Sequence, residues 1–305
     1  MGKSGDTAGG WKPGRLCAIA GLAALFAFLV GPTRPASASP PSSPQAGRAA
    51  SLEATTSAAA RRDALRSIPL DKLSDEDRAK VDSVLSNISV FRRMPTRVVD
   101  CDPDLYLFLV RHPDVVVNIW EVFRISRLKL REIGDGQFRV AETAGATATF
   151  EFVYQSRDLH VLYGEGVYQG PLLTRPVKGR GVLVLKAGYA RETNGRYHIT
   201  SRLDSFLSIE PAAAELVTKT VSPVVGKTVD NNFVQTMAFV GSLSRTAEVN
   251  SRGVQRLGEQ LLHVQPAVRE QFVELAAAMP KKQAEASEEA SPPKMASQPV
   301  ERQER

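Results

Sequence analysis

Between residues 127 and 209 apolar side chains recur at every second position, and on either side of that stretch they recur every three to four. The period-two region divides into runs at 127–133, 137–142, 147–154, 159–169, 181–192 and 196–209. Turn-forming residues separate them: Gly134-Asp135-Gly136, Gly145, Arg157-Asp158 and Asn194-Gly195. Asn-Gly is a strong two-residue hairpin signal, because both residues tolerate positive φ. Phe150, Phe152 and Tyr154 occupy alternate positions, as do Tyr197, Ile199, Leu203 and Leu207, so each strand is predicted to bury one face. No connection is long enough for a crossover helix, which predicts an antiparallel meander.

The flanks read as helices. Ser74 can cap a helix whose first turn carries Asp75, Glu76 and Asp77, with Leu73, Val81, Val84 and Leu85 as its apolar stripe. A strand over 89–99 is interrupted at Pro95. Pro103 and Pro113 sit where a first helical turn accepts proline, predicting short helices over 104–111 and 114–123. In the second, Val116, Ile119, Trp120 and Phe123 share one face. Beyond the strands, Pro211 opens a helix to about 221, and Pro223 opens another over 223–243. The latter repeats Val225, Val229, Phe233, Met237 and Val240, and its length of ~30 Å spans a sheet. Amphipathic stretches at 253–264 and 266–279 follow, the second carrying Val268, Phe272, Leu275 and Met279.

The N-terminus has the form of a secretory signal: Lys3, Lys12 and Arg15, an apolar run over 16–30, then Ala36-Ser37-Ala38. Cleavage is expected after Ala38, giving a secreted or periplasmic protein. The run is short for a membrane span, which takes about 20 residues. Cleavage would remove Cys17 and leave Cys101 as a lone buried structural thiol. Residues 39–60 are small, Pro- and Ser-rich, and read as a linker; 281–305 read as a polar disordered tail. One domain over 61–280 is expected between them. The formal charge is +6, but removing the four basic and one acidic side chains of 1–39, and the five of each in 281–305, leaves 30 basic and 27 acidic groups. That balance gives no electrostatic footprint for nucleic acid. Two cysteines exclude a disulfide scaffold and a Cys-rich zinc module.

The order strand, two short helices, six antiparallel strands, long helix, with HPDVVVNIWEVF (112–123) as the Trp-containing helix, resembles the helix-grip fold of the START/Bet v 1-like superfamily over 89–243. The segments HPDVVVNIWEVF, LDSF (203–206) and ETNGR (192–196) are also similar to a group of secreted planctomycete proteins, implying a bacterial exported protein. The helix-grip resemblance implies an α+β fold in which a curved antiparallel sheet of about seven strands wraps a long C-terminal helix, with extra flanking helices here. It implies a ligand cavity between sheet and helix, lined by Trp120, Tyr154, Tyr163, Tyr197, Leu203, Phe233, Met237 and Val240. Such pockets typically measure ~300–1,000 Å³.

The function expected on this basis is non-enzymatic binding of a hydrophobic or lipid-like small molecule, with neither cofactor nor metal and with peripheral envelope contact as a further partner. Arg175, Lys178 and Arg180, in the connection after Gly170, could hold an anionic head group at the mouth. Gly226-Lys227-Thr228 lacks the earlier glycine of a phosphate loop, Val221 standing there. Asp100, Asp102 and Asp104 start like a calcium loop, but Leu105 and Pro103 break it. Gly164 and Gly166 have the wrong spacing for a dinucleotide loop and lie in a strand. Two alternatives stay open. One is a cyclase- or hydrolase-type pocket enzyme using Asn118, Glu121, His198 or Arg202; the other is an envelope scaffold with a filled core, contacting a partner through 74–85 and 266–279.

Overall fold

Strand β1 (Val90–Arg93) and strand β2 (Arg97–Asp100) are two halves of one edge, both antiparallel to a single long strand, β8 (Tyr197–Ile209). In this computed structural model, which describes residues 53–142, 145–169, 176–210 and 223–289, three residues (Met94, Pro95, Thr96) face two of β8, between the Arg93–Asp204 and Arg97–Ser201 pairs. Proline cannot donate to the ladder and is tolerated at such a bulge. The extra residue swaps the faces: Phe91 joins the core on one side of the sheet, whereas Val99 packs on the other.

Helices α1 (Ala58–Arg66) and α2 (Asp75–Leu85), joined through a 3₁₀ turn at Leu70–Lys72, precede this edge. Next come α3 (Pro103–Arg111) and α4 (Pro113–Val122). The strands β3 (Lys129–Gly134), β4 (Gln137–Ala141), β5 (Ala146–Gln155), β6 (Leu159–Tyr168) and β7 (Val177–Arg191) then lead into β8. The chain closes with α5 (Pro223–Val249), α6 (Ser251–Glu259) and α7 (Pro266–Glu289). The sheet is antiparallel throughout and ordered β1-β8-β7-β6-β5-β4-β3, with β2 beside β8. The fold is α+β, with the strand–helix–helix–strands–helix order that the sequence resemblance implies.

The sheet is covered on both faces. One face holds the main core, with α3, α4, α5, α6 and α7 packed over Phe138, Phe150, Leu183, Leu185, Ile199 and Leu203. The other carries a second core in which α1 and α2 cover Val161, Tyr163, Val182, Val184 and Phe206. The expectation of one buried face per strand is therefore corrected for β6, β7 and β8, where Leu203 and Phe206 bury into opposite faces. In β6 and β7 this shows in the sequence. Their near-continuous apolar runs are what two covered faces require.

Several boundaries also shift. α1 begins inside the stretch read as linker, and Thr55 forms a bridge with Arg93. α7 continues past Pro280 to Glu289 through the residues read as the start of a tail, and Lys282 reaches back to Asp104 (2.5 Å) and Asp102 (3.4 Å) at the first turn of α3. α6 ends at Glu259, short of the expected 264. At the β7–β8 turn only Gly195 has positive φ (80°), so the link is a three-residue loop ending in a left-handed glycine, not the two-residue hairpin Asn-Gly suggests. The expected signal segment, Cys17, most of the linker, the 211–221 helix, Arg175 and the last sixteen residues lie outside the described residues.

Candidate ligand cavity

A void lies where the sheet and α5 fail to close completely. Leu183 and Leu185 of β7, Leu203 of β8, Phe150 and Phe152 of β5, and Leu162 of β6 form its floor. Thr236, Met237 and Val240 of α5 form the roof, and Tyr106, Leu109, Val110, Pro113 and Val116 of α3 and α4 form one wall. The lining is almost all carbon. Its volume is about 40 Å³, room for roughly one to three water molecules and well below the size expected from the resemblance. Sheet and helix are closely packed because large side chains fill the groove: Tyr106, Phe138 and Phe233 are fully buried within it.

Of the residues expected to line a cavity, Leu203, Met237 and Val240 do so. Phe233 is buried in the same core one helical turn from Met237, without reaching the void. Trp120 is also buried there, its ring edge-on to Phe239 at 5.7 Å. Tyr154 and Tyr163 belong to the opposite face. A register shift between Phe152 and Tyr154 breaks the alternation, so Phe152 faces the void and Tyr154 turns away beneath Lys72. Tyr163 is neighbour to Leu162, and strand parity sends the two to opposite sides. Tyr197 sits at the start of β8 in a polar cleft with Asp100, Arg196, Glu248 and Lys282, its ring under Arg191. Lys178 and Arg180 lie within β7, not in a loop. They line a broad open groove with Arg139 and Glu165 on the face opposite α5.

Periodicity within strands missed the wall supplied by α3 and α4. The signal was present: PDLYLFLVR and PDVVVNIWEV are apolar around most of their circumference, which marks helices buried on several sides.

Polar groups around the void are few and mostly satisfied. The Tyr106 hydroxyl is 2.7 Å from the Ser201 hydroxyl, and burial holds the phenol well above its usual range. The Thr236 hydroxyl donates to the Asn232 carbonyl (3.0 Å). His160 differs. It is fully buried on β6, paired in register with Leu185 and 6.1 Å from the Phe152 ring, and neither ring nitrogen has a hydrogen-bond partner among the described residues. Burial, with Arg111 nearby, pushes its pKa down to about 4, Asp158 opposing.

The residues considered for acid–base work are placed apart. Asn118 donates to the Asp114 carbonyl (3.1 Å), and Glu121 pairs with Arg131 (3.0 Å). His198 meets Glu192 on the β7–β8 turn (2.8 Å). Arg202 lies on the α1 face of the sheet beside Asp63 (3.1 Å). Asp204, two residues from Arg202 on the same face of β8, is fully buried: Arg93 donates to both its carboxylate oxygens (2.6 and 3.0 Å) and to Asp63 (2.8 Å). That network ties α1, β1 and β8 together. Cys101 is buried, and burial pushes its thiol up to about 12.

No family model matches the chain, and no curated protein matches it. Solved structures do. A conserved protein from Geobacillus kaustophilus is 11% identical over 47% of this chain and 89% of its own, with a TM-score of 0.34. Norcoclaurine synthase from Thalictrum flavum is 15% identical over 50% and 94%, with a TM-score of 0.30. Ara h 8.0201 is 12% identical over 48% and 99%, with a TM-score of 0.27. Each aligns with about half of this chain, and at such scores the likeness carries no functional argument, which rests instead on the cavity itself.

Proposed function

We propose that this is an exported, non-enzymatic protein that binds a small apolar or amphipathic molecule between the sheet and α5. The observation that carries this reading is the void at the centre of that interface, walled by carbon from three separate layers. Apolar surface removed from water contributes roughly 25 cal/mol per Å² before the costs of immobilisation. A lipid-sized guest needs several times the present volume, so binding would have to move α5 or the α3–α4 pair away from the sheet. Export is supported by the basic, apolar and Ala-x-Ala pattern of residues 1–38.

The test is titration of the full-length protein with N-phenyl-1-naphthylamine, an uncharged apolar fluorophore. Saturable one-to-one binding is expected, and Val240→Phe, which fills the void, is expected to abolish it. No binding, or binding that Val240→Phe leaves unchanged, would overturn the reading. The second reading is a scaffold with a filled core. It is favoured by the smallness of the void (about 40 Å³) and by Val249, the last residue of α5, and Leu262, in the link between α6 and α7, which are 86% and 77% exposed.

A further inference from the structure

A fully buried histidine with no hydrogen-bond partner is costly. Leaving a buried polar group unsatisfied is destabilising, and most such groups in folded proteins find a partner in protein or solvent. His160 is 0% exposed and both its ring nitrogens are unpartnered within the described chain. Its place is also particular. Leu162, two residues along the same face of β6, and Leu185, its cross-strand partner, both line the void. Phe152, another lining residue, flanks the imidazole. The ring is not itself part of the lining; it sits behind Phe152, Leu162 and Leu185, so a guest that parts these side chains would meet the imidazole.

From this juxtaposition we infer that His160 is the polar anchor of the cavity, reading an uncharged hydroxyl at one end of an apolar ligand. The inference rests on the ligand-binding reading above and specifies its ligand class: alcohols in preference to plain hydrocarbons or carboxylates. The chemistry follows from the imidazole. In its neutral form it offers one N–H donor and one acceptor nitrogen, and a hydroxyl can meet either. A carboxylate can use only the donor, and would bring an uncompensated charge into the apolar chamber. The charged groups that act on His160, Arg111 and Asp158, are of opposite sign.

The experiment uses the full-length protein, labelled with ¹⁵N-histidine, titrated separately with 1-hexanol, n-hexane and hexanoate. Expected are saturable binding of both hexanol and hexane, weaker binding of hexanoate, and movement of the His160 imidazole nitrogen signals with hexanol alone. In His160→Leu the hexanol-to-hexane affinity ratio is expected to fall about fivefold, the worth of one net hydrogen bond. His160→Gln, which keeps a donor and an acceptor, restores the preference. If hexane and hexanol bind but the ratio is the same in His160→Leu and the imidazole signals stay still, the anchor is refuted while the cavity reading stands. If neither binds, both fall together.

Discussion

Replacing His160 with leucine, or Asp114 with asparagine, should tilt the acid stability profile in opposite directions relative to the parent. Both residues are fully buried on the α5 side of the sheet, and burial acts on them in opposite directions. His160 titrates near 4 in the folded protein instead of 6.5. Between those values the unfolded chain binds a proton that the native state refuses, so stability falls as pH drops from 6.5 to 4. At about 1.4 kcal/mol for each tenfold change in proton affinity, the full loss is about 3 kcal/mol. Asp114, in the first turn of α4, titrates at about 6 instead of 3.8, raised by burial and then by Glu132, with nearby backbone N–H groups and Arg131 opposing. Here the native state binds the proton first, so stability is lost as pH rises from 3.8 through 6, again by about 3 kcal/mol. In the parent the two contributions nearly cancel. Urea unfolding at intervals from pH 4 to pH 7 measures the difference between variants and parent, which removes the shared background from other titrating groups. His160→Leu should gain stability relative to the parent as pH falls, and Asp114→Asn should lose it. Parallel profiles for parent and both variants would refute the burial argument.

Other outcomes follow from the same structure. Asp204→Asn leaves Arg93 facing a neutral amide in a buried site and should cost about 3–5 kcal/mol, read by urea denaturation; a loss under 1 kcal/mol would mean the pair is solvated. Gly164→Val should destabilise by about 1–3 kcal/mol, because a Cβ there would stand 3.1 Å from both the Phe150 Cβ and the Thr149 carbonyl oxygen. Cys101 should react with iodoacetamide at pH 8 only as fast as the fold opens, since its thiol is buried and titrates near 12; rapid alkylation of the native protein would contradict that placement.

The elements were largely legible because each has a local cause: proline at the first turn of α3 and α4, Ser74 capping α2, period-two alternation in β4 and β5. The break at Pro95 and the long α5 were legible for the same reason. The lining was only partly so. Met237, Val240 and Leu203 follow simple periods. Tyr154 does not, because a bulge is decided by pairing across strands and leaves no mark in its own strand. Tyr163 was misassigned because α1 and α2 cover a second face, and an apolar run cannot say which of two covered faces a residue takes. The cavity's size depends on how side chains from β5–β8, α3, α4 and α5 interlock, a long-range property that composition does not express. The burial of Asp204 has the same origin: its partner Arg93 lies 111 residues away in sequence.

The central claim, that the gap between sheet and α5 receives an apolar guest, is tested most directly by native mass spectrometry of the full-length protein purified without detergent, followed by organic extraction. The account predicts a discrete one-to-one adduct that is lost on denaturation and recovered in the extract as an apolar molecule bearing a hydroxyl. A clean unliganded mass under gentle conditions, unchanged after incubation with a long-chain alcohol, would contradict it and leave the filled-core scaffold in its place.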